Sequence, residues 1–351
     1  MRASVRNGKQ RSRRRKRAGK RIVRTRKRSG GATAQSGPHP YDEGYDSGHT
    51  AGYGKGFENG IQKGSVKESS AKLQEESYQT GYRKGETEGR YEGGEAIVDR
   101  LMPPYGIMPD TSLEEIIAAG IAANSGRVVT VMSPEQVADR INGSLTRGLP
   151  LSVVRLGDGE LLTLAQETVM PIEIVRQQGS FLPYAGVEVP NLAIRDQLRE
   201  AVKQADIVGI PMLRQPNYLL LAGSVLHAHG IDIRSRVFTD SLINYGLYKG
   251  GLLKPLLQGR RVLLVGNKAD QLAAVLTNAG IVVTGIVMPV NGVQDADRAV
   301  QEAQGHDFDI ALVSAGVAAV LIAEKLARTT GKVAIDFGHM ADAIAKGEAP
   351  L

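Results

Sequence analysis

The chain has 351 residues, a formal net charge of +7 and no cysteine. That length accommodates one large domain with extensions, and the missing cysteines exclude disulfides and cysteine-ligated zinc or iron–sulfur centres and fit a cytoplasmic protein. The longest apolar run, residues 310–323, is interrupted by Ser314 and Gly316 and is too short to cross a bilayer, and the basic N-terminus lacks the apolar segment of a secretory signal.

The charge is divided along the chain. Residues 1–41 carry fifteen Lys and Arg and no Asp or Glu, whereas residues 42–351 carry 29 basic and 37 acidic residues, a net of −8. The positive excess therefore belongs to a tail, with cores at residues 11–17 and 24–28. Residues 1–40 lack the apolar content to bury a core and are expected to be disordered. A run this cationic suits a polyanion or an anionic membrane surface, particularly through residues 1–30. No aromatic residues interleave with the cations, so base stacking is not indicated. These features place the protein in the cytoplasm, with a peripheral position at an anionic surface as an option.

Residues 41–101 form a second segment. Gly44, Gly48, Gly52, Gly56, Gly60 and Gly64 recur every four residues, accompanied by Tyr41, Tyr45, Tyr53 and Phe57. A second copy runs through Tyr78, Gly81, Tyr82, Gly85, Gly89 and Gly93. This spacing predicts helices with a glycine stripe. Each glycine costs about 1 kcal/mol inside a helix, so the stripe calls for a closely approaching partner: the other repeat in a hairpin, or a second copy of the chain across 41–95. The pattern resembles the Gly-x-x-x repeats of helical adaptor proteins.

Residues 102–110, rich in proline, read as a linker. From 111 to 351 the texture changes to alternating apolar strands and amphipathic helices. Strands are predicted at 151–156, 207–210, 261–265, 281–288, 310–314 and 333–336. Helices are predicted near 134–145, 190–204, 216–229, 269–279, 295–304 and 317–329. This alternation predicts an α/β fold with a Rossmann-like, mostly parallel sheet flanked by helices.

The most informative stretch is Arg155-Leu-Gly-Asp-Gly-Glu160, at the end of the first strand. Ligands in open α/β sheets bind at the carboxyl ends of strands. Asp158 and Glu160, on a turn freed by Gly157 and Gly159, suit a hard cation that also binds substrate phosphates. The ordinary alternative is helix capping by two acidic residues. Arg155 can reach a phosphate or pair with a buried acid.

This stretch resembles the Arg-Phe-Gly-Asp-Gly-Glu signature of the GT-D type glycosyltransferases. Residues 333–340, Val-Ala-Ile-Asp-Phe-Gly-His-Met, resemble that family's closing Ala-Ile-Asp-Ile-Gly-His segment. The likeness covers roughly residues 135–345. It implies a nucleotide-sugar donor, a uridine diphosphate sugar foremost, and a glycan or glycoprotein acceptor. It also implies Mn²⁺ or Mg²⁺ held by Asp158 and Glu160 against the donor diphosphate. The chain departs from the family pattern at Val265-Gly-Asn-Lys-Ala-Asp270, where the family has a longer loop containing Arg and Gly. Sugar identity is therefore not transferred.

Other strand ends supply further candidates. Gly266 and Asn267, Asn291, and Ser314 and Gly316 follow successive predicted strands and are candidate donor contacts; the last pair opens a helix whose N-terminus suits phosphate. Asp336 and His339 close the series as candidate catalytic groups, His339 donating to a phosphate or accepting a proton, with helix capping as its alternative role. Arg214, Asn217 and Tyr218 are candidate donor or acceptor contacts. Asp336-Phe-Gly338 spells a kinase metal motif without its companion motifs, and the dinucleotide fingerprint is absent, which argues against a dehydrogenase. A non-catalytic nucleotide-binding or scaffold protein anchored by its basic tail remains the rival reading.

Overall fold

A computed structural model describes residues 70–214 and 218–351. The basic tail, the first glycine repeat and Asn217 lie outside the described residues. The chain divides into two compact units, Met1–Ser125 and Gly126–Leu351. Among the described residues no helix is long and apolar enough to cross a membrane.

In the first unit helix α1, Ser70–Arg90, carries Tyr78, Gly81, Tyr82, Gly85 and Gly89 of the second glycine repeat. A π-helical turn, Tyr91–Glu95, continues it into α2, Ala96–Leu101. Beside Gly85 and Gly89 the space is open, and the rings of Tyr78 and Tyr82 stack with centroids 6.4 Å apart. A further helix, α3, spans Leu113–Ala123. Its start is fixed by Ser112 and Glu115, whose side chains each accept the other's backbone N–H.

The second unit is built on seven strands: β1 Leu151–Arg155, β2 Ile207–Ile210, β3 Phe238–Asp240, β4 Arg261–Gly266, β5 Val282–Val287, β6 Ile310–Ser314 and β7 Val333–Asp336. All pairings are parallel, in the order β3-β2-β1-β7-β6-β4-β5. The apolar strand runs expected from sequence are these strands, apart from β3. Its three residues lack a readable period and are held by pairing to β2 on one side, with Met132 N donating to Phe238 O on the other.

Successive side chains of a strand face opposite layers, and the two cores sort accordingly. Val154, Leu263, Val265, Ala311, Val313 and Ala334 join one core. Leu151, Val153, Val262, Leu264, Ile310, Leu312 and Ile335 join the other. The first layer contains α5 Asp158–Ala165, α6 Ile172–Gln178, α7 Leu192–Gln204, α8 Tyr218–Ala228, α12 Ala296–Ala303 and α13 Ala318–Thr330. The second contains α4 Pro134–Arg147, α9 Ile243–Lys249, α10 Leu253–Leu257, α11 Ala269–Asn278 and α14 Met340–Ala345.

The chain therefore leaves β1 into the first layer, through α5, and leaves the neighbouring β7 into the second, through α14. That divergence opens a crevice between the carboxyl ends of the two strands, the topological switch point where ligands of open α/β sheets bind. The adjacent strands β6 and β4 diverge in the same way, into α13 and α11.

Candidate active site

The β1–β7 crevice is floored by one side chain. Arg155, the last residue of β1, donates from Nε to the backbone oxygen of Asp336 at 3.0 Å and from Nη2 to Asp336 Oδ1 at 2.8 Å. Its Nη1 donates to the backbone oxygen of Ser241, just beyond β3, at 3.1 Å. Two glycines make room for it. A Cβ on Gly209 of β2 would lie 3.3 Å from Arg155 Cγ and 2.9 Å from the Asp240 oxygen, and one on Gly338 would lie 1.9 Å from Arg155 Nη2. Gly338 also has φ +52°, in the left-handed region. Gly338→Ala is accordingly expected to displace the guanidinium and lower stability by about 2 kcal/mol or more, measured as a fall in denaturation midpoint.

Asp336 is buried, and burial raises its carboxyl above the ordinary range against the opposing pull of Arg155. Glu160 is half-buried in the first turn of α5, where its Oε2 accepts the Gly157 N–H at 2.8 Å and closes the helix start. Burial, reinforced by the nearby Asp336 charge, pushes the Glu160 carboxyl up to about 7. Asp158 is exposed, and its Oδ1 accepts the Gly159 N–H at 2.9 Å. Its charge is felt by Tyr218 at the start of α8, whose hydroxyl is raised by burial first and by Asp158 second. The two carboxylates thus have different surroundings: Glu160 shares a charge field with Arg155 and Asp336, Asp158 with Tyr218 and solvent.

The remaining predicted residues are distributed along the same sheet edge. His339 is exposed and sits at the N-cap of α14 without a side-chain cap bond. The hydrogen-bond partner of the Asp336 carboxylate is Arg155, not His339. Gly266 has φ +135° and packs directly on the Ser314 carbonyl. Asn267 Oδ1 accepts the Val290 N–H at 2.7 Å, and the Asn291 N–H goes to Asp295 Oδ2. Ser314 Oγ is buried with no hydrogen-bond partner. At Gly316 the segment 180–187 closes over the edge: Ala185 O accepts the Val317 N–H at 3.2 Å and Gly186 O accepts the Val293 N–H at 3.0 Å. One amide at the start of α13 is thereby taken by the protein itself. The segment 180–187 thus roofs the β5 and β6 loops. Arg214 is exposed in the loop after β2. On α8, His227 is exposed, whereas His229, just beyond that helix, is buried with Nε2 2.8 Å from the Leu164 oxygen.

Sequence reasoning did not single out Gly209, Ser241 or the 180–187 roof. Ser241 was hidden with β3, and Gly209 is an ordinary small residue until Arg155 is seen to cross it. The roof carries no periodic signal.

Among the described residues no three or more His, Asp and Glu side chains cluster as a metal cage. The donor set is instead two carboxylates, each with one oxygen committed to a backbone N–H. That chemistry fits Mg²⁺ or Mn²⁺ held mostly by ligand phosphates and water.

A parallel sheet covered on both faces, with carboxylates at its switch point, defines a Rossmann-like α/β domain. The chain belongs to the GT-D fold-like domain family, which matches residues 132–344, more than half of its length. Its domain thus has the GT-D-like fold. Two solved structures of domain of unknown function 1792, one described as having a distinct glycosyltransferase fold and the other selenomethionine-substituted, are similar to it. Each has 16% identity and spans 62% of this chain and 82% of its own, with TM-scores of 0.44 and 0.43. No curated protein matches the chain.

Proposed function

We propose that the domain transfers a sugar from a nucleotide sugar, foremost a uridine diphosphate sugar, to a glycan or glycoprotein acceptor. The observation that supports this most is the placement of Asp158 and Glu160 on the first turn of α5, at the mouth of the β1–β7 crevice. In this reading a bound Mn²⁺ or Mg²⁺ would offset the charge that develops on the leaving diphosphate. Asp158, on the solvent side, and Glu160, on the crevice side, would hold it. Arg155 and Asp336 fix the floor beneath them, and Gly157 lets the backbone approach. His339, at the rim, is the candidate to meet the acceptor hydroxyl or a phosphate oxygen.

The decisive experiment screens nucleotide sugars for metal-dependent hydrolysis, transfer and thermal stabilisation, with nicotinamide cofactors as controls. Stabilisation by a UDP-sugar with Mn²⁺ and slow donor hydrolysis are expected. Stabilisation by a nicotinamide cofactor alone would point to different chemistry. A second reading, a nucleotide binder without turnover, draws on the closure of the β5 and β6 loops by segment 180–187; it predicts donor binding with no hydrolysis or transfer.

The basic tail is proposed to localise the enzyme. Deleting residues 1–30 is expected to leave transfer to a small soluble acceptor unchanged. The same deletion should remove binding to DNA, heparin or anionic vesicles, and the intact chain's binding should fall steeply with salt. Co-sedimentation with vesicles across a salt series measures this; salt-insensitive binding would contradict it.

A further inference from the structure

We infer that Arg155 is a positioning residue that acts through Asp336 and is not a ligand of the donor phosphates. This rests on the transferase reading above and assigns one residue's part in it. A guanidinium that clamps phosphate offers two parallel N–H groups outward. Arg155 does not present such a fork. Its Nη1 turns to Ser241 O and its Nη2 to Asp336 Oδ1, while Nε takes Asp336 O. The three bonds leave in different directions and join the ends of β7, β1 and β3.

The packing fixes the same orientation. Gly209 lies against the Arg155 stem, and Gly338 against Nη2, so close that a methyl group at either place would collide. The Arg155 side chain is 17% exposed and that of Asp336 3%. The pair therefore forms a rigid, largely buried floor whose guanidinium is committed to fixed partners rather than offered as a free cation. A side chain tied by three hydrogen bonds to the ends of two other strands keeps a neighbouring group in place, and the chemical step should sense its loss more than donor binding does.

The test is a double-mutant cycle of Arg155→Gln, Asp336→Asn and the double variant. Affinity is read with UDP and Mn²⁺ by calorimetry, and turnover with whichever UDP-sugar the wild type uses. Each single variant is expected to lower kcat by about 10²-fold with the UDP–Mn²⁺ Kd within about threefold of wild type. The double variant should be no slower than the more severe single one, because the two residues act as a unit. It should also melt above Arg155→Gln, which strands a buried carboxylate that the double variant neutralises. If Arg155→Gln fails to fold, the double variant carries the test through its UDP affinity, near wild type if the inference holds. A loss of UDP affinity of tenfold or more in any variant lacking Arg155, with Asp336→Asn unaffected, would overturn it, as would losses in kcat that multiply. A wild type inert toward every UDP-sugar would overturn the transferase reading, and this role with it; that result is distinct from multiplying losses in an active enzyme.

Discussion

Asp158→Asn is expected to abolish Mn²⁺-dependent donor binding and to lower transfer by about 10²–10³-fold, the scale of a lost charge-stabilising contact. Its melting temperature should stay within a degree or two of wild type. The side chain is exposed and its one hydrogen bond, to the Gly159 N–H, can be kept by the amide oxygen. Calorimetric titration of UDP in Mn²⁺ and in chelator, with parallel melts, separates binding from folding. Undiminished turnover in the variant, or full wild-type activity in chelator, would remove the metal from the proposed mechanism.

Glu160→Gln should cause a comparable loss of donor binding but, unlike Asp158→Asn, should raise stability at neutral pH. Glu160 is held near 7 by burial and by Asp336, so the folded state keeps its proton more tightly than the unfolded chain, where it dissociates near 4.5. Its contribution to stability is therefore fully present below about 4.5 and is lost as pH rises through about 7. Asp336, also raised, adds in the same direction. In chelator, wild-type stability should decline from pH 5 to pH 8, and Glu160→Gln should flatten that decline. Water reaches part of the group and weakens the effect, so the gain at pH 8 is put at roughly 1–2 kcal/mol. That corresponds to a melting temperature higher by about 2–6 °C. A variant that melts lower than wild type at pH 8 would show the carboxylate to be stabilising.

The parts of the fold visible in the sequence were those whose local pattern carried the information. Strands β2, β6 and β7 are legible to the residue because their short apolar runs stop at Pro211, Ser314 and Asp336. Asp158 and Glu160 stood out because two acids on glycines follow a buried run. What the sequence could not show was partnership between distant residues. Arg155 allowed two readings, phosphate or buried acid, and only the register of β1 beside β7 brings Asp336 to its Nη2. Strand β3 had no periodic signature because its three residues owe their conformation to a neighbour. Gly316 looked like a phosphate-binding helix start; that Ala185 O already occupies the Val317 N–H follows from a loop with no pattern of its own.

The position of strand β7 bears on how the domain assembles. It pairs with β1 on one side and β6 on the other, so the last strand to be synthesised fills the middle of the sheet. Arg155 waits for a partner 181 residues downstream. Until Val333–Asp336 emerge from the ribosome, the nascent domain holds two half-sheets with facing unpaired edges and an unpartnered guanidinium. Such edges invite mispairing, and closing so long a loop is slow. The ordering also acts as a safeguard: a chain cut short before residue 333 carries the whole acidic turn but cannot assemble the crevice around it.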